Sequence, residues 1–162
     1  MFFPDAIGNK NASICFGQPA WNSSQPFPIG PSAVNSPVDL WVTKAGDLFI
    51  AMAGSGARVS LFFKGGDSPT QFNLPADLVF GRPNASTTAS PLLVDMTSIF
   101  FDEDLGSLWA LIDPSGNTIY RWTNAIVQSN PETTLTTSVT FPAGNPSALF
   151  TAASKIFVLS SF

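Results

Sequence analysis

The chain has no histidine and a single cysteine, Cys15, and these two shortages remove several kinds of chemistry. Without histidine there is no Ser-His-Asp or Cys-His catalysis, and the commonest metal ligand is missing. One thiol cannot form an internal disulfide, and its place within an apolar phrase predicts that Cys15 is a buried structural residue. The sequence also lacks a glycine-rich loop of the P-loop or dinucleotide-binding type. We therefore expect a protein that is not an enzyme and needs no cofactor.

Charged residues are also scarce, at 11% of the 162 residues, with a net charge of −4. Nucleic-acid binding is not expected, because phosphate neutralisation needs grouped Lys and Arg and no basic cluster exists. Apolar runs such as 156–159 are too short to span a bilayer, and the first residues lack the features of a secretory signal. The hydrophobic content of 44%, with 15 Phe, predicts a folded domain with a substantial core.

An eight-residue phrase occurs twice, at 12–19 and at 76–83, with Ala, Phe, Gly and Pro at matching places. Each copy is followed by a polar loop and then by three short apolar runs. The turns between these runs repeat as well, since Gly106 lies 60 positions after Gly46. The chain is therefore predicted to be a repeat protein.

The apolar runs have the length and composition of β-strands. They are rich in β-branched and aromatic residues and are bounded by Gly, Pro, Asp or Asn, which is typical of strands joined by hairpins. The repeated phrase adds a fourth strand that ends at its Gly and Pro, so each unit is predicted to contain four antiparallel strands. The runs are 38–42, 47–52 and 58–63 in the first unit, 97–101, 107–112 and 118–122 in the second, and 147–151 and 155–160 in a weaker third copy. Residues 134–141 are the predicted fourth strand of the second unit.

These strand–turn–strand units resemble the NHL-repeat family of β-propellers. The likeness is carried by Leu-Phe-Ile-Ala at 48–51 followed by Ser-Gly-Ala-Arg-Val at 55–59, by Leu-Trp-Ala-Leu at 108–111 followed by Asp113 and Ser-Gly-Asn at 115–117, and by Ala-Asp-Leu-Val-Phe-Gly-Arg-Pro-Asn at 76–84. The last of these looks like the outer-strand segment of a subset of that family. The resemblance covers roughly residues 12–160.

The resemblance implies an all-β fold of propeller-like blades, each a four-stranded antiparallel sheet, in a single repeat domain over residues 1–162. In this interpretation an outer strand lies at 12–19, the first blade at 38–83, the second blade at 97–141 and part of a third blade at 147–162. Propellers of this family have about six blades, so the chain is expected to hold an incomplete propeller.

The family commonly pairs an Asp after the second strand of a blade with an Arg that opens the third. Here the first unit has Arg58 but Ala53, and the second has Asp113 but Thr118. A contact of this kind would have to cross between units. Arg58 and Asp113 are therefore predicted to be structural residues rather than ligand contacts.

A short stack of blades leaves an apolar face in water and unpaired strand edges at its ends, so a covering partner is expected. Three arrangements are open: the chain is a piece of a longer protein, copies of it close a ring, or copies of it stack into a fibre. The predicted partner is therefore protein, either further copies of this chain or the remainder of a longer one.

Asp102, Glu103 and Asp104 form the only acidic cluster. Their carboxylates are of the kind that binds Ca²⁺, but their place at a turn before Gly106 favours a solvated hairpin tip. Some NHL-like propellers are zinc-dependent lyases, and without histidine or paired cysteines that chemistry is not supported here.

Trp21, Arg121 and Trp122 are the candidate ligand contacts of an alternative interpretation, a carbohydrate-binding propeller with glycans as partners. Trp122 follows Arg121 at a strand end and Trp21 lies in a loop, so these aromatic rings are the better candidates for exposure. Trp41 and Trp109 alternate with other core positions and are predicted to pack inside.

Asn11, Asn22 and Asn84 each begin an N-glycosylation sequon, and the last two lie in loops just past the copies of the repeated phrase. Together with the low charge, they predict an extracellular or cell-surface glycoprotein whose leader is absent from this chain. The favoured function is a non-catalytic structural or interaction module of an extracellular assembly, serving as scaffold, adhesion element or filament. The carbohydrate-binding propeller is the alternative, and an enzyme of the lactonase or lyase type is the least favoured.

Overall fold

The computed structural model of the chain describes residues 15–17, 30–54, 57–63, 74–81, 96–112, 118–126, 135–140, 145–152 and 155–161. Ten β-strands lie in these residues and no α-helix does, so the all-β prediction is confirmed. Within the same ranges, the search for an apolar helix of membrane-spanning length finds none.

The strands form antiparallel sheets in chain order, and each strand pairs with its neighbour along the sequence. Strands β1–β4 make the first sheet, β5–β8 the second sheet, and β9–β10 a two-stranded hairpin. Their bounds are β1 Pro37–Val42, β2 Leu48–Met52, β3 Arg58–Phe62, β4 Leu78–Phe80, β5 Met96–Asp102, β6 Ser107–Ile112, β7 Thr118–Trp122, β8 Leu135–Thr140, β9 Asn145–Ala152 and β10 Lys155–Ser161. Each apolar run predicted to be a strand overlaps one of these. Of the predicted strand 12–19 only 15–17 is described, and there Cys15 forms an isolated β-bridge and is buried as predicted.

The hairpin turn between β1 and β2 shows why the glycines recur. Gly46 has a φ of +94°, a left-handed conformation that glycine adopts at little cost. Its N–H donates to the Thr43 carbonyl, and the Thr43 hydroxyl accepts from the Asp47 N–H at 3.0 Å. Gly106 has a φ of +57° in the turn between β5 and β6. A positive φ is therefore part of the same turn in both sheets.

Alternate side chains of a strand point to opposite faces of its sheet, and β2 is buried on both faces. We call "front" the face of a sheet that is turned toward the following sheet in the chain, and "back" the opposite face. Phe49 and Ala51 lie on the front of β2, while Leu48, Ile50 and Met52 lie on its back, and all five are buried. A strand of this kind is expected where both faces of its sheet are covered.

The main core lies between the front of the first sheet and the back of the second. Phe49 stacks on Phe101 with ring centroids 5.0 Å apart, and Phe80 meets Trp122 edge-on at 5.7 Å. Burying each large apolar side chain stabilises the fold by about 2 kcal/mol, so this interface is expected to dominate stability. Its buried members are Phe49, Ala51, Ala57, Val59, Leu61, Phe80, Met96, Ile99, Phe101, Leu108, Ala110, Trp122 and Ala125.

The front of the second sheet packs on the β9–β10 hairpin. Trp109, Leu111 and Ile119 form a smaller buried cluster there, and Phe100 and Val158 pack against it. The chain is thus a stack in which the first sheet, the second sheet and the hairpin follow one another face to face.

The back of the first sheet is covered by two segments that precede it, which contain Phe16 and Val34. Phe16 packs on Phe62 with ring centroids 4.7 Å apart. Gly17 has a φ of +75°, and it passes so close to the other segment that a Cβ at this position would lie 2.6 Å from the Val34 Cβ. Both the backbone conformation and the space therefore require glycine at position 17.

Arg58, at the start of β3, holds one of these segments in place. Its side chain is buried, and its Nη2 donates to the carbonyl oxygens of Gly30 and Ala33, both at 2.7 Å. Hydrogen bonds from a charged donor are about twice as strong as those between neutral groups. These contacts give Arg58 the structural role that the sequence predicts.

We expect Gly17→Ala to lower the free energy of unfolding by about 3 kcal/mol, because it adds left-handed strain and a clash with Val34. Gly54→Ala is the matched control, since Gly54 has a φ of +72° but nothing lies within 4 Å of its added Cβ. That control should lose only the conformational strain, about 1 kcal/mol. Urea unfolding followed by tryptophan fluorescence measures both variants, and equal losses would contradict the close approach at Val34.

Candidate interaction surfaces

The first strands of the three sheets, β1, β5 and β9, share an irregularity at corresponding places. Their pairing with the next strand shifts register at Val38, at Thr97 and at Ser147. A β-bulge produces such a shift, and it twists and bends the strand that carries it. Val38 and Thr97 lie 59 positions apart. Two residues have the same pairing position when they lie equally far from the bulge in their strands, as Leu40 and Ile99 do, and such residues of β1 and β5 are also 59 positions apart. The sheets can therefore be compared residue by residue.

A pair of aromatic residues occupies the same front position in each hairpin. The paired residues are Trp41 and Phe49 in the first sheet, Phe100 and Trp109 in the second sheet, and Phe150 and Phe157 in the β9–β10 hairpin. Cross-strand aromatic pairs stabilise antiparallel strands by roughly 0.2–1 kcal/mol. The first pair also contacts the following sheet, because the Trp41 ring lies 4.7 Å from the Phe100 ring.

Asp39 joins the first strands of the two larger sheets. Its Oδ2 accepts hydrogen bonds from the Ser98 hydroxyl at 2.9 Å and from the Ile99 N–H at 2.8 Å. Its Oδ1 accepts from the Leu40 N–H at 2.8 Å. Strand β5 is at the edge of its sheet, where outward amides have no strand partner. The Asp39 carboxylate satisfies one such amide and fixes β1 beside β5.

The sheets approach most closely at their first strands and fan out from there. Strand β1 lies beside β5, and β5 lies beside β9. Near the same edge the Lys44 N–H donates to Glu103 Oε1 at 2.8 Å. Toward the outer strands the gap is filled by the large rings of Phe80 and Trp122. Hydrogen bonds between carboxylates and backbone N–H groups thus join the sheets at one edge, and large rings lie between them at the other.

The back of β1 is an exposed apolar strip, and we call Val38, Leu40 and Val42 the back-end surface. Leu40 is 63% exposed, whereas Ile99, which has the same pairing position in the second sheet, is 2% exposed. Val42 is likewise exposed, and its counterpart Phe101 is buried. The positions of Leu40 and Val42 are apolar in both sheets, and they are buried only where another sheet lies over them.

The front of the β9–β10 hairpin is exposed and apolar as well, and we call Phe150, Phe157 and Leu159 the front-end surface. The two rings stack with centroids 5.0 Å apart and an angle of 7° between their planes, and Leu159 is 57% exposed. Val158 points the other way, into the cluster on the second sheet. Phe157 has the pairing position that Phe49 has in the first sheet, where that ring is fully buried.

The acidic cluster is used within the fold. Asp102 Oδ1 accepts from the backbone N–H groups of Asp104 and Leu105 at 3.1 and 3.0 Å, which closes the turn after β5. Glu103 accepts from Lys44, as described above. Among the described residues, no three Asp, Glu, Cys or His side chains are grouped so that they could hold a metal ion.

Trp122, a candidate ligand contact and one of the two Trp residues considered better candidates for exposure, is fully buried, which corrects its assignment as a ligand contact. Its pairing with Leu108 turns the indole into the core against Phe80, so neither ring face is open to a sugar. Arg121 is half-buried beside it. The Arg121 guanidinium lies 4.8 Å from the centre of the Trp109 ring, and its Nε and Nη2 donate to the Ser107 hydroxyl at 3.3 and 3.1 Å. Trp109 is buried as predicted.

The remaining predicted site residues are not all described. Trp21 and the sequon residues Asn11, Asn22 and Asn84 lie outside the described ranges, and so does Asp113. Sequence reasoning missed the role of Asp39. The available signal was an acidic residue inside the apolar run 38–42, which is unusual unless its carboxylate has donors to accept from.

Comparison of the chain with protein-family models, with curated proteins and with solved structures gives no match.

We expect Asp39→Ala to lower the free energy of unfolding by about 2 kcal/mol, because it leaves the Ile99 N–H without its acceptor. Asp39→Asn keeps one side-chain oxygen and should lose less. Asp104→Ala is the matched control, since this exposed carboxylate lies on a turn and its loss should change stability by less than about 0.5 kcal/mol. Urea unfolding measures the three variants, and hydrogen exchange at Ile99 should accelerate only in the Asp39 variants. Unchanged exchange there would show that the carboxylate does not protect the amide.

Proposed function

We propose that this chain is a non-catalytic structural module of an extracellular assembly, built of propeller-like blades, which binds protein through the two ends of its stack of sheets. The observation that carries this proposal is that apolar side chains are exposed at positions whose counterparts inside the chain are buried. Leu40 and Ile99 are the clearest such pair. The back of the first strand is therefore covered in the second sheet and exposed in the first sheet.

The way in which the sheets fan out supports propeller-like blades. In a propeller, four-stranded sheets are repeated around a central axis, so first strands lie close together and outer strands diverge. The neighbouring positions of β1, β5 and β9 fit that arrangement. The outer gap filled by Phe80 and Trp122 fits it as well. The resemblance of the sequence to NHL repeats favours the same architecture.

The distribution of exposed apolar side chains supports binding at the ends. Of the nine large hydrophobic side chains exposed in the described part of the chain, six belong to the back-end and front-end surfaces. Clustered apolar exposure marks protein contact sites more often than scattered exposure does. Since each end corresponds to a face that another sheet covers elsewhere in the chain, the partner is expected to present the apolar face of a β-sheet.

We expect the purified chain to associate as its concentration rises from low to high micromolar. The double variant Leu40→Asp with Leu159→Asp should remain monomeric, because a carboxylate at each end cannot be buried without a partner charge. Both side chains are exposed in the monomer, so its stability should change by less than about 0.5 kcal/mol. Sedimentation velocity measures the association.

Leu105→Asp is the matched control for these substitutions. Leu105 is an exposed leucine in the turn between β5 and β6 and belongs to neither end surface. This variant should associate as the unmodified chain does. Association that survives in the double variant would overturn binding through the ends, and so would loss of association in Leu105→Asp.

The extracellular location is supported by the three sequons and by the low charged fraction. We expect the chain, secreted from a glycosylating host behind a supplied leader, to carry N-linked sugar at Asn22 and Asn84. Intact mass before and after removal of N-linked glycans measures the sugar, and Asn22→Gln with Asn84→Gln should abolish most of the difference. Secreted protein without any sugar would remove the sequons as support for this location.

A further inference from the structure

From this geometry, and on the basis of the proposed function, we infer that the partner is a second copy of this chain, bound head to tail. The front-end surface of one copy covers the back-end surface of the next, while the rest of that sheet's back keeps the cover of its own preceding segments. The contact repeats the part of the internal interface that β5 contributes, where Ile99 and Phe101 lie under the first sheet. The contact between the first and second sheets therefore indicates how two copies would pack.

The first step of the argument is positional equivalence. The front-end residues Phe150 and Phe157 have the pairing positions of Trp41 and Phe49 on the front of the first sheet. Inside the chain, that front covers the back of the second sheet, where Phe49 stacks on Phe101 at 5.0 Å. The front-end surface thus repeats the aromatic half of an interface that is already formed within the molecule.

The second step identifies the other half of that interface. The back of the second sheet presents Ile99 and Phe101 to the first sheet, and their counterparts on the back-end surface are Leu40 and Val42. Both counterparts are apolar and exposed. A front end placed on a back end therefore sets Phe157 of one copy against Val42 of the next, as Phe49 is set against Phe101.

The third step concerns the order of the copies. The front end carries stacked aromatic rings and the back end carries aliphatic side chains, so the two surfaces differ and complement each other. Contact between unlike surfaces is heterologous, and it leaves one free front end and one free back end on every complex. Such a contact repeats until it closes a ring, or continues as a fibre.

The contact between copies differs from the internal one in its polar part. Asp39, which bridges β1 and β5, has Ala148 as its counterpart in β9, so no carboxylate reaches across to the next copy. An apolar contact of this kind is strengthened by sulfate rather than screened by it. Association should therefore increase, not fall, when sodium sulfate is added.

Complementary single-end variants test the head-to-tail order. Leu40→Asp blocks only the back end and Leu159→Asp blocks only the front end, so each variant alone should be monomeric at concentrations where the unmodified chain associates. An equimolar mixture should form complexes of one copy of each and nothing larger, because each such complex has both of its remaining ends blocked. Native mass spectrometry with one variant isotopically labelled measures the composition, and the expected mass is twice that of the chain.

A mixture that stays monomeric would overturn head-to-tail binding, and so would a single-end variant that still associates with itself. If the unmodified chain associates and the double variant does not, the proposed function stands even when the mixture fails, and only the order of the copies is wrong. If the unmodified chain never associates, a second copy is not the partner and the inference fails. Association of Leu40→Asp alone would indicate front-to-front contact, and association of Leu159→Asp alone would indicate back-to-back contact.

Discussion

The structure depends on the burial of both faces of β2 and β6, the second strands of the two larger sheets. An antiparallel sheet can stand with one face on a core and one face in water, but β2 has no polar face to expose. Leu48, Ile50 and Met52 on its back need cover as much as Phe49 and Ala51 on its front. When one sheet packs on the next, the single interface buries the front of the first sheet and the back of the second. The segment that Arg58 holds supplies the same cover to the back of the first sheet.

Stacking buries the apolar faces of the sheets, but it leaves the backbone N–H groups of their edge strands without strand partners. Sheets that lie face to face cannot continue each other's hydrogen bonding, so the outward amides of each first strand need other acceptors. Asp39 supplies one for the Ile99 N–H, and the Glu103 carboxylate accepts from the Lys44 N–H. The shared register shifts bend the same strands. Carboxylates and bulges at the edge formed by the first strands therefore help to fix how closely one sheet approaches the next.

The strands could be predicted from the sequence because their signals are local. Turn glycines such as Gly46 and Gly106, together with apolar runs of strand length, are read within about ten residues. The burial of Trp122 could not be read in that way, because the face on which its ring lies depends on pairing with Leu108 in another strand. The role of Asp39 depends on atoms 59 and 60 positions away in the sequence. The sequence therefore indicated the repeats but not the contacts between them.

The two ends of the stack differ from the ends that repeat proteins need when they act alone. Solubility of an isolated stack requires terminal units with a polar outer face, yet Leu40 and Val42 at one end and Phe157 and Leu159 at the other are exposed and apolar. The internal interface combines apolar packing with the Asp39 bridge, whereas an interface formed by these ends has the packing alone. Because its polar part is missing, the proposed contact through the ends is expected to be weaker than the contact between the sheets of one chain. Under the proposed function, such a module would hold its own sheets together permanently and join others reversibly.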